Sequence, residues 1–229
     1  KGIYVDKTRP TTVKTRIIGN NQQIARLDRE IRKDIDEKAE KFILKNLTEL
    51  SELSGIIFED YNKGTISEKM IKRIIDFAKA EDIPVFVDPK FNNFFAFEDV
   101  FVMKPNKKEA QNALGMNLET KEDILKAGKI LLERLNCNNV LLTLGSKGMM
   151  LFESGGKISS IPTIARQVAD VSGAGDTAIA TLSVSIAGGA DIKEAASISN
   201  YASGAVCELP GIVSITKEMI IDTIDNNNS

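Results

Sequence analysis

From about residue 55 onward, runs that are apolar throughout alternate with segments that are apolar only every third or fourth position. The runs are "GIIFED", "IPVFVDPK", "VFVMKPN" and "NNVLLTLG". A strand buried on both faces has no polar side to show, so such runs predict a parallel sheet between two helical layers. The segment "SEKMIKRIIDFAKAED" places Met70, Ile71, Ile74, Ile75 and Ala78 on one helical face, with Ser67 as N-cap. Thr120 to Asp123, "TKED", has the form of a capping box and opens the helix before the fourth run. "GMMLFES" and "GKISSIP" predict a hairpin, the pattern after Val171 is helical, and "DNNNS" reads as a frayed polar tail. Earlier in the chain, "TTVKTRIIGN" and "QQIARLD" predict two strands turning at Asn20–Asn21. Val13, Arg16 and Ile18 do not alternate cleanly there. A charged amphipathic helix is expected next, from about Ile31 to Leu50. The chain thus divides into a hairpin unit, 1–30, and an α/β core, 31–229.

Composition narrows the chemistry. The 229 residues are 42% hydrophobic, enough for one large core, and the net charge is −2 with both signs intermixed. Nothing in that balance calls for a nucleic acid or a membrane surface as partner. No apolar run is long enough to span a bilayer, and no signal peptide is visible. Cys137 and Cys207 are two distant thiols, the pattern of a reducing compartment such as the cytoplasm. Histidine is absent altogether. That excludes Ser-His-Asp and Cys-His nucleophiles, HExxH zinc sites and histidine bases. The remaining tools are carboxylates, lysines, amides, backbone groups and a bound metal.

The segment "ADVSGAGDTAIAT", Ala169 to Thr181, marks a loop entering a helix. Gly173 and Gly175 suit a tight turn or a close approach. Free N–H groups and the helix dipole would make this an anion site. Asp176 comes directly after. A Walker A loop is not present, and a dinucleotide fingerprint fits poorly because Asp176 would repel a pyrophosphate. Phosphoryl transfer makes the acid useful: N–H groups of Gly173, Ala174 and Gly175 hold developing charge while Asp176 takes a proton from an attacking hydroxyl. The plainer alternative is a glycine turn with Asp176 as a favourable first-turn acid. Parallel sheets gather ligands at the carboxyl ends of their strands. Four such ends carry polar clusters here: "EDYNKG", "DPK", "KPNKKE" and "TLGSKG".

"DVSGAGDTAIAT" is similar to the signature of the ribokinase-like (PfkB) sugar kinases, and the resemblance runs along nearly the whole chain. It implies a three-layer α/β/α core with a mainly parallel sheet and a small β lid, the hairpin unit being part of that lid. It implies ATP and Mg²⁺. "KPNKKE" resembles the family's N-x-x-E element, so Asn106 and Glu109 would organise metal and phosphates, Glu109 through ordered water, as suits a cation that keeps its waters. "TLGSKG" resembles the loop over the nucleotide, with Thr143, Gly145, Ser146 and Gly148, and Asn200 matches a position near the adenine. A monovalent cation, K⁺, would lie beside Asp170, Ser172, Val206 and Gly211.

"RPTTVKTRIIGNNQQIARLDRE", "EDYNKG" and "VFVDPK" most resemble the heptose 7-phosphate kinase branch. The substrate would then be a phosphorylated sugar, taken at its anomeric O1 for lipopolysaccharide precursor synthesis. Arg9, Asp60, Lys63 and Lys90 are the implied sugar-phosphate contacts, and the lid implies a homodimer. The family ordinarily begins with a further strand and a glycine pair, so the early core and lid are expected to be partial in this sequence. Two alternatives stay open: a kinase for another sugar or a nucleoside, and a non-catalytic nucleotide-binding module.

Overall fold

The computed structural model describes residues 2–19, 22–164 and 168–228. Two strands, β1 (Val13–Gly19) and β2 (Gln22–Arg29), form a separate antiparallel ribbon. The turn expected at Asn20–Asn21 lies outside the described residues. The ribbon's register shifts between Ile17 and Ile18, where Ile17 faces Ala25 and Ile18 faces Gln23. The extra residue is Ile24 on β2, while β1 runs straight through. The hydrophobic residues of β1 do not alternate because the strand is exposed along nearly its whole length and no buried face imposes a period.

The main sheet has six strands: β3 (Ile56–Glu59), β4 (Val85–Asp88), β5 (Val102–Met103), β6 (Asn139–Thr143), β7 (Met149–Glu153) and β8 (Ile158–Ile161), adjacent in that order. The pairs from β3 to β6 are parallel, and β6–β7 and β7–β8 are antiparallel. Helices cover both faces. On one side Val85, Val87, Val140, Leu142 and Phe152 pack against α2 (Glu68–Ala80) and α4 (Lys121–Leu135). On the other, Phe86, Val102, Leu141 and Leu151 pack against α5 (Ala174–Ala187) and α6 (Ile192–Cys207). Two short helices, α1 (Glu37–Thr48) and α3 (Lys107–Leu114), and the last, α7 (Lys217–Asn228), complete the fold. This is the expected three-layer α/β/α arrangement.

The five residues expected on the buried face of α2 are all buried, and Ser67 accepts from the Met70 N–H as its N-cap. The Thr120–Asp123 capping box forms. Two expectations need correction. The helix foreseen from Ile31 begins only at Glu37, because Asp36 caps it by accepting from Ala39 N–H and Ile35 N–H is bonded to Gly64 O at 2.8 Å. The tail foreseen as frayed is helical to Asn228. Among the described residues no helix is long and apolar enough to cross a membrane.

Candidate active site

Strand parity builds the site. Val87 and Met103 pack with α2 and α4, while Phe86 and Val102 pack with α5. The next residue on each strand that shares the α5 side is Asp88 and Lys104 respectively, since side chains alternate. Glu59 pairs with Asp88 across β3 and β4 and lies on that same side. All three therefore meet the N-terminus of α5. Lys104 Nζ donates to Asp88 Oδ2 at 3.0 Å, and both residues are buried. A buried pair of this kind persists because each charge would be costly alone.

Gly173 starts α5 with φ +81°, a left-handed turn that favours glycine. It aims the first turn back over the strand ends. A Cβ on Gly175 would lie 3.5 Å from Asp88 Oδ2 and 3.6 Å from Lys104 Nζ, so this glycine sits directly over the ion pair. Ala174 N–H reaches Val171 O at 3.3 Å, a long bond. Asp176, at N3, is exposed, and its Oδ2 accepts from Tyr61 Oη at 2.7 Å. Carboxylate oxygens of Glu59, Asp88 and Asp176 lie within 4.8 Å of one another. Burial first, and then the charges of Asp88 and Asp176, push the Glu59 carboxyl up to about 7. Burial and the bond to Asp176 push the Tyr61 phenol up as well, so it remains a donor at neutral pH.

The second feature is a cavity of about 380 Å³ beside the same turn. Its walls bring together Thr143, Gly145, Ser146, Gly148 and Asn200 with Ala174 and Gly175, residues scattered over some sixty positions of sequence. Asn200 is buried rather than on a helix surface. Its Nδ2 donates to Pro162 O at 2.7 Å, which fixes α6 to the end of β8. Met149, Val168, Val171, Ala178, Ser203 and Cys207 also line the cavity.

Asn106 caps α3 and forms a reciprocal box with Glu109: its side chain accepts from Glu109 N–H at 2.9 Å, and Glu109 Oε2 accepts from Asn106 N–H at 2.8 Å. The other Glu109 oxygen accepts from Lys90 Nζ at 2.7 Å, and Lys90 also lies 3.5 Å from Asp88 Oδ1. Burial lowers the Lys90 ammonium, but Asp88 and Glu109 outweigh it and hold the group above its ordinary range. Lys90 thus bridges the carboxylates of Asp88 and Glu109. Asp88 and Glu109 are hard oxygen donors around a position already holding positive charge, a donor set that fits Mg²⁺.

The remaining foreseen residues separate into two groups. Asp170 Oδ1 accepts from Ser172 N–H at 2.9 Å, and N–H groups of Ala169 and Asp170 reach Cys207 O at 2.8 and 3.2 Å. The bond from Ser172, and a further backbone bond from Gly211, hold Asp170 below the usual carboxylate range. Asp170, Ser172 and Gly211 therefore converge at the end of α6, next to Val206, whose carbonyl accepts from Leu209 N–H at 3.2 Å. Arg9 and Lys63 stand elsewhere. Arg9 Nη2 donates to Ile31 O at 3.1 Å and Lys63 O at 2.5 Å, and Lys63 Nζ pairs with Glu30 Oε2 at 2.5 Å. Asp60 is buried and accepts from Asn62 N–H at 2.7 Å and Asn93 Nδ2 at 3.0 Å, so one oxygen is engaged within its own loop and the other by the loop after β4.

Glu59, Tyr61, Asp88 and Lys104 were not singled out from sequence. They sit in or beside the polar clusters at the strand ends, and strand parity was the signal that would have separated the three charged residues from their neighbours.

Comparison with known proteins gives the family and the fold. The description "pfkB family carbohydrate kinase" matches residues 1–218. The bifunctional protein HldE of a Nitratiruptor species is 39% identical over 93% of this chain and 45% of its own length. The chain spans about half the length of the curated relatives it matches. Among solved structures, phosphofructokinase-2 from Escherichia coli in complex with potassium superposes with a TM-score of 0.76 at 17% identity, covering 86% of this chain and 64% of that one. Ribokinase from Arabidopsis thaliana, complexed with ribose and ATP, gives 0.74 at 21% identity, covering 97% and 73%. Those enzymes share the fold of this chain, and the chain is a member of the pfkB family of carbohydrate kinases.

Proposed function

We propose that the chain transfers the γ-phosphoryl group of ATP to a hydroxyl of a sugar phosphate, with Asp176 as the general base. One observation carries this reading. The first turn of α5 contributes to two places at once: Ala174 and Gly175 line the cavity, while Asp176, outside that lining, is bonded to Tyr61. A donor held in the cavity and an acceptor at Asp176 would meet over the helix N-terminus, where N–H groups and the dipole favour developing negative charge.

The acceptor O–H donates to an Asp176 carboxylate oxygen. As its oxygen bonds to the γ-phosphorus, the bond to the β–γ bridging oxygen breaks and ADP leaves with that electron pair. The proton passes to Asp176. The N–H groups of Gly173, Ala174 and Gly175 face the transferred oxygens, and the weak bond from Ala174 to Val171 O is readily exchanged. Lys104 donates to Asp88 beneath Gly175 and balances its charge there. Mg²⁺, when bound, supplies neutralisation of the phosphate charge, and Glu109 through water, with Asp88 beside it, would hold it. Thr143, Gly145, Ser146, Gly148 and Asn200 would surround the nucleotide. Asp170, Ser172, Val206 and Gly211 would hold K⁺ next to the turn, a reading supported by the potassium bound to the Escherichia coli enzyme.

The acceptor we favour is D-glycero-D-manno-heptose 7-phosphate, phosphorylated at O1. Support comes from the "EDYNKG", "VFVDPK" and hairpin sequences and from the HldE relatives. Its phosphate would take Lys63 from Glu30, with Arg9 adjacent. The hairpin would act as a lid, and its exposed Val13, Ile17 and Leu27 would be covered by a second copy of the chain.

The test is ADP release with Mg·ATP and a set of acceptors: heptose 7-phosphate, ribose, fructose 1-phosphate and a nucleoside. Release dependent on heptose 7-phosphate is expected. Equal or greater release with another acceptor would reassign the sugar, and none with any acceptor would remove the kinase reading.

A further inference from the structure

Tyr61 donates to the proposed base, and its hydroxyl makes the same bond the acceptor must make. Its Oη donates to Asp176 Oδ2 at 2.7 Å, as a sugar O–H would. The side chain is 49% exposed and stands on a loop, so it can be displaced without opening the core. That loop is tied to the hairpin unit at three points. Lys63 pairs with Glu30, Arg9 holds Lys63 O, and Lys14 Nζ of β1 lies 6.0 Å from the Tyr61 ring centre. Gly64 O accepts from Ile35 N–H in the segment joining the ribbon to α1. Any movement of the ribbon onto an acceptor therefore bears on Tyr61.

We propose that Tyr61 is a gate on the base: its hydroxyl stands in for the acceptor at Asp176 Oδ2 and keeps the carboxylate from serving water until a sugar displaces it. The proposal rests on the reading of Asp176 as general base. A kinase needs such a device because water is a smaller nucleophile present in vast excess. In the unwanted reaction a water oxygen bonds to the γ-phosphorus and the bond to the β–γ bridging oxygen breaks. ADP leaves with the electron pair, the water proton goes to Asp176, and inorganic phosphate is the other product. A phenol on Oδ2 takes up one of the lone pairs that could receive that proton, on the oxygen that faces Tyr61. A sugar, held by further contacts, displaces the phenol where a lone water does not. Tyr61 is thus a specificity residue for acceptor over water.

The experiment compares sugar-free ATP hydrolysis and acceptor-dependent ADP release in the full chain, in Tyr61→Phe, in Asp176→Asn and in the double variant. Tyr61→Phe is expected to raise sugar-free hydrolysis about tenfold, the lower end of what one hydrogen bond to a charged group is worth. The rise should vanish in the double variant, and the acceptor KM should not increase. Hydrolysis no higher than in the unaltered chain, while that chain still transfers to sugar, overturns the gate alone. Absence of transfer to any sugar in the unaltered chain overturns the base assignment and the gate with it. A second readout does not depend on turnover. The chain has no tryptophan and three tyrosines, so Tyr4→Phe with Tyr201→Phe leaves Tyr61 as sole tyrosine emitter. A carboxylate accepting from the phenol quenches that emission. Saturable brightening with the acceptor that supports turnover, ADP being present, is expected, and unchanged emission at saturation contradicts displacement.

Discussion

At the scale of single residues, the site is governed by how three carboxylates tolerate one another. Burial and two anionic neighbours lift Glu59 to about 7. A raised acid favours the folded state while protonated. Its contribution is complete below the ordinary value near 4.5 and is lost as pH rises through about 7. Glu59→Gln mimics the protonated form. Thermal unfolding should show little difference between variant and parent at pH 4.5. At pH 8 the variant should melt about 2–4 °C higher, roughly 1 kcal/mol after allowing for solvent screening of a half-open site. An equal shift at both pH values would mean that Glu59 is not held against its neighbours' charge. The sequence made the acids visible at strand and helix ends but not their grouping. Glu59, Asp88 and Asp176 are far apart in the chain, and only the pairing of β3 with β4 and the reach of α5 bring them together.

At the scale of elements, local signals succeeded where cap and buried face coincide. In α2 and α4 the capping residue immediately precedes a run whose apolar positions share one face, so start and orientation were both readable. The segment from Ile31 to Asp36 was misread because its conformation is set by Gly64, about thirty residues away. The loop after β6 offers a sharper test. Gly148 has φ +81°, and a Cβ there would run into Ile161 O of β8. Gly115 has φ +63° at the end of α3, with open space around its missing Cβ. Gly115→Ala should therefore cost only the left-handed strain, about 1 kcal/mol. Gly148→Ala should cost clearly more and should also weaken ATP binding, because backbone at the cavity wall must shift. Calorimetric melting and nucleotide titration on the pair decide this. Similar melting losses with equal ATP affinity would mean that the wall is soft.

Across the whole molecule, the sheet's fold class was readable because strands buried on both faces leave a distinctive apolar run. The ribbon was readable only as two strands, since β1 is exposed along nearly its whole length and no buried face imposes alternation on it. Its outward residues form an exposed apolar face. Val13 and Ile17 on β1 share that face with Leu27 on β2. If a second copy covers them, as proposed, sedimentation should give a dimer, and Ile17→Lys with Leu27→Lys should give a folded monomer. A monomer before mutation would assign that surface to something other than self-association.

The most direct measurement is a paired one on Asp176→Asn: the rate of acceptor-dependent ADP release and the affinity for ATP. A base acts on the barrier rather than on the bound nucleotide. The rate should fall by roughly 10²–10⁴-fold or more while ATP affinity stays within about twofold. An affinity loss that matches the rate loss would make Asp176 part of the nucleotide site's structure and would contradict its role as the proton acceptor.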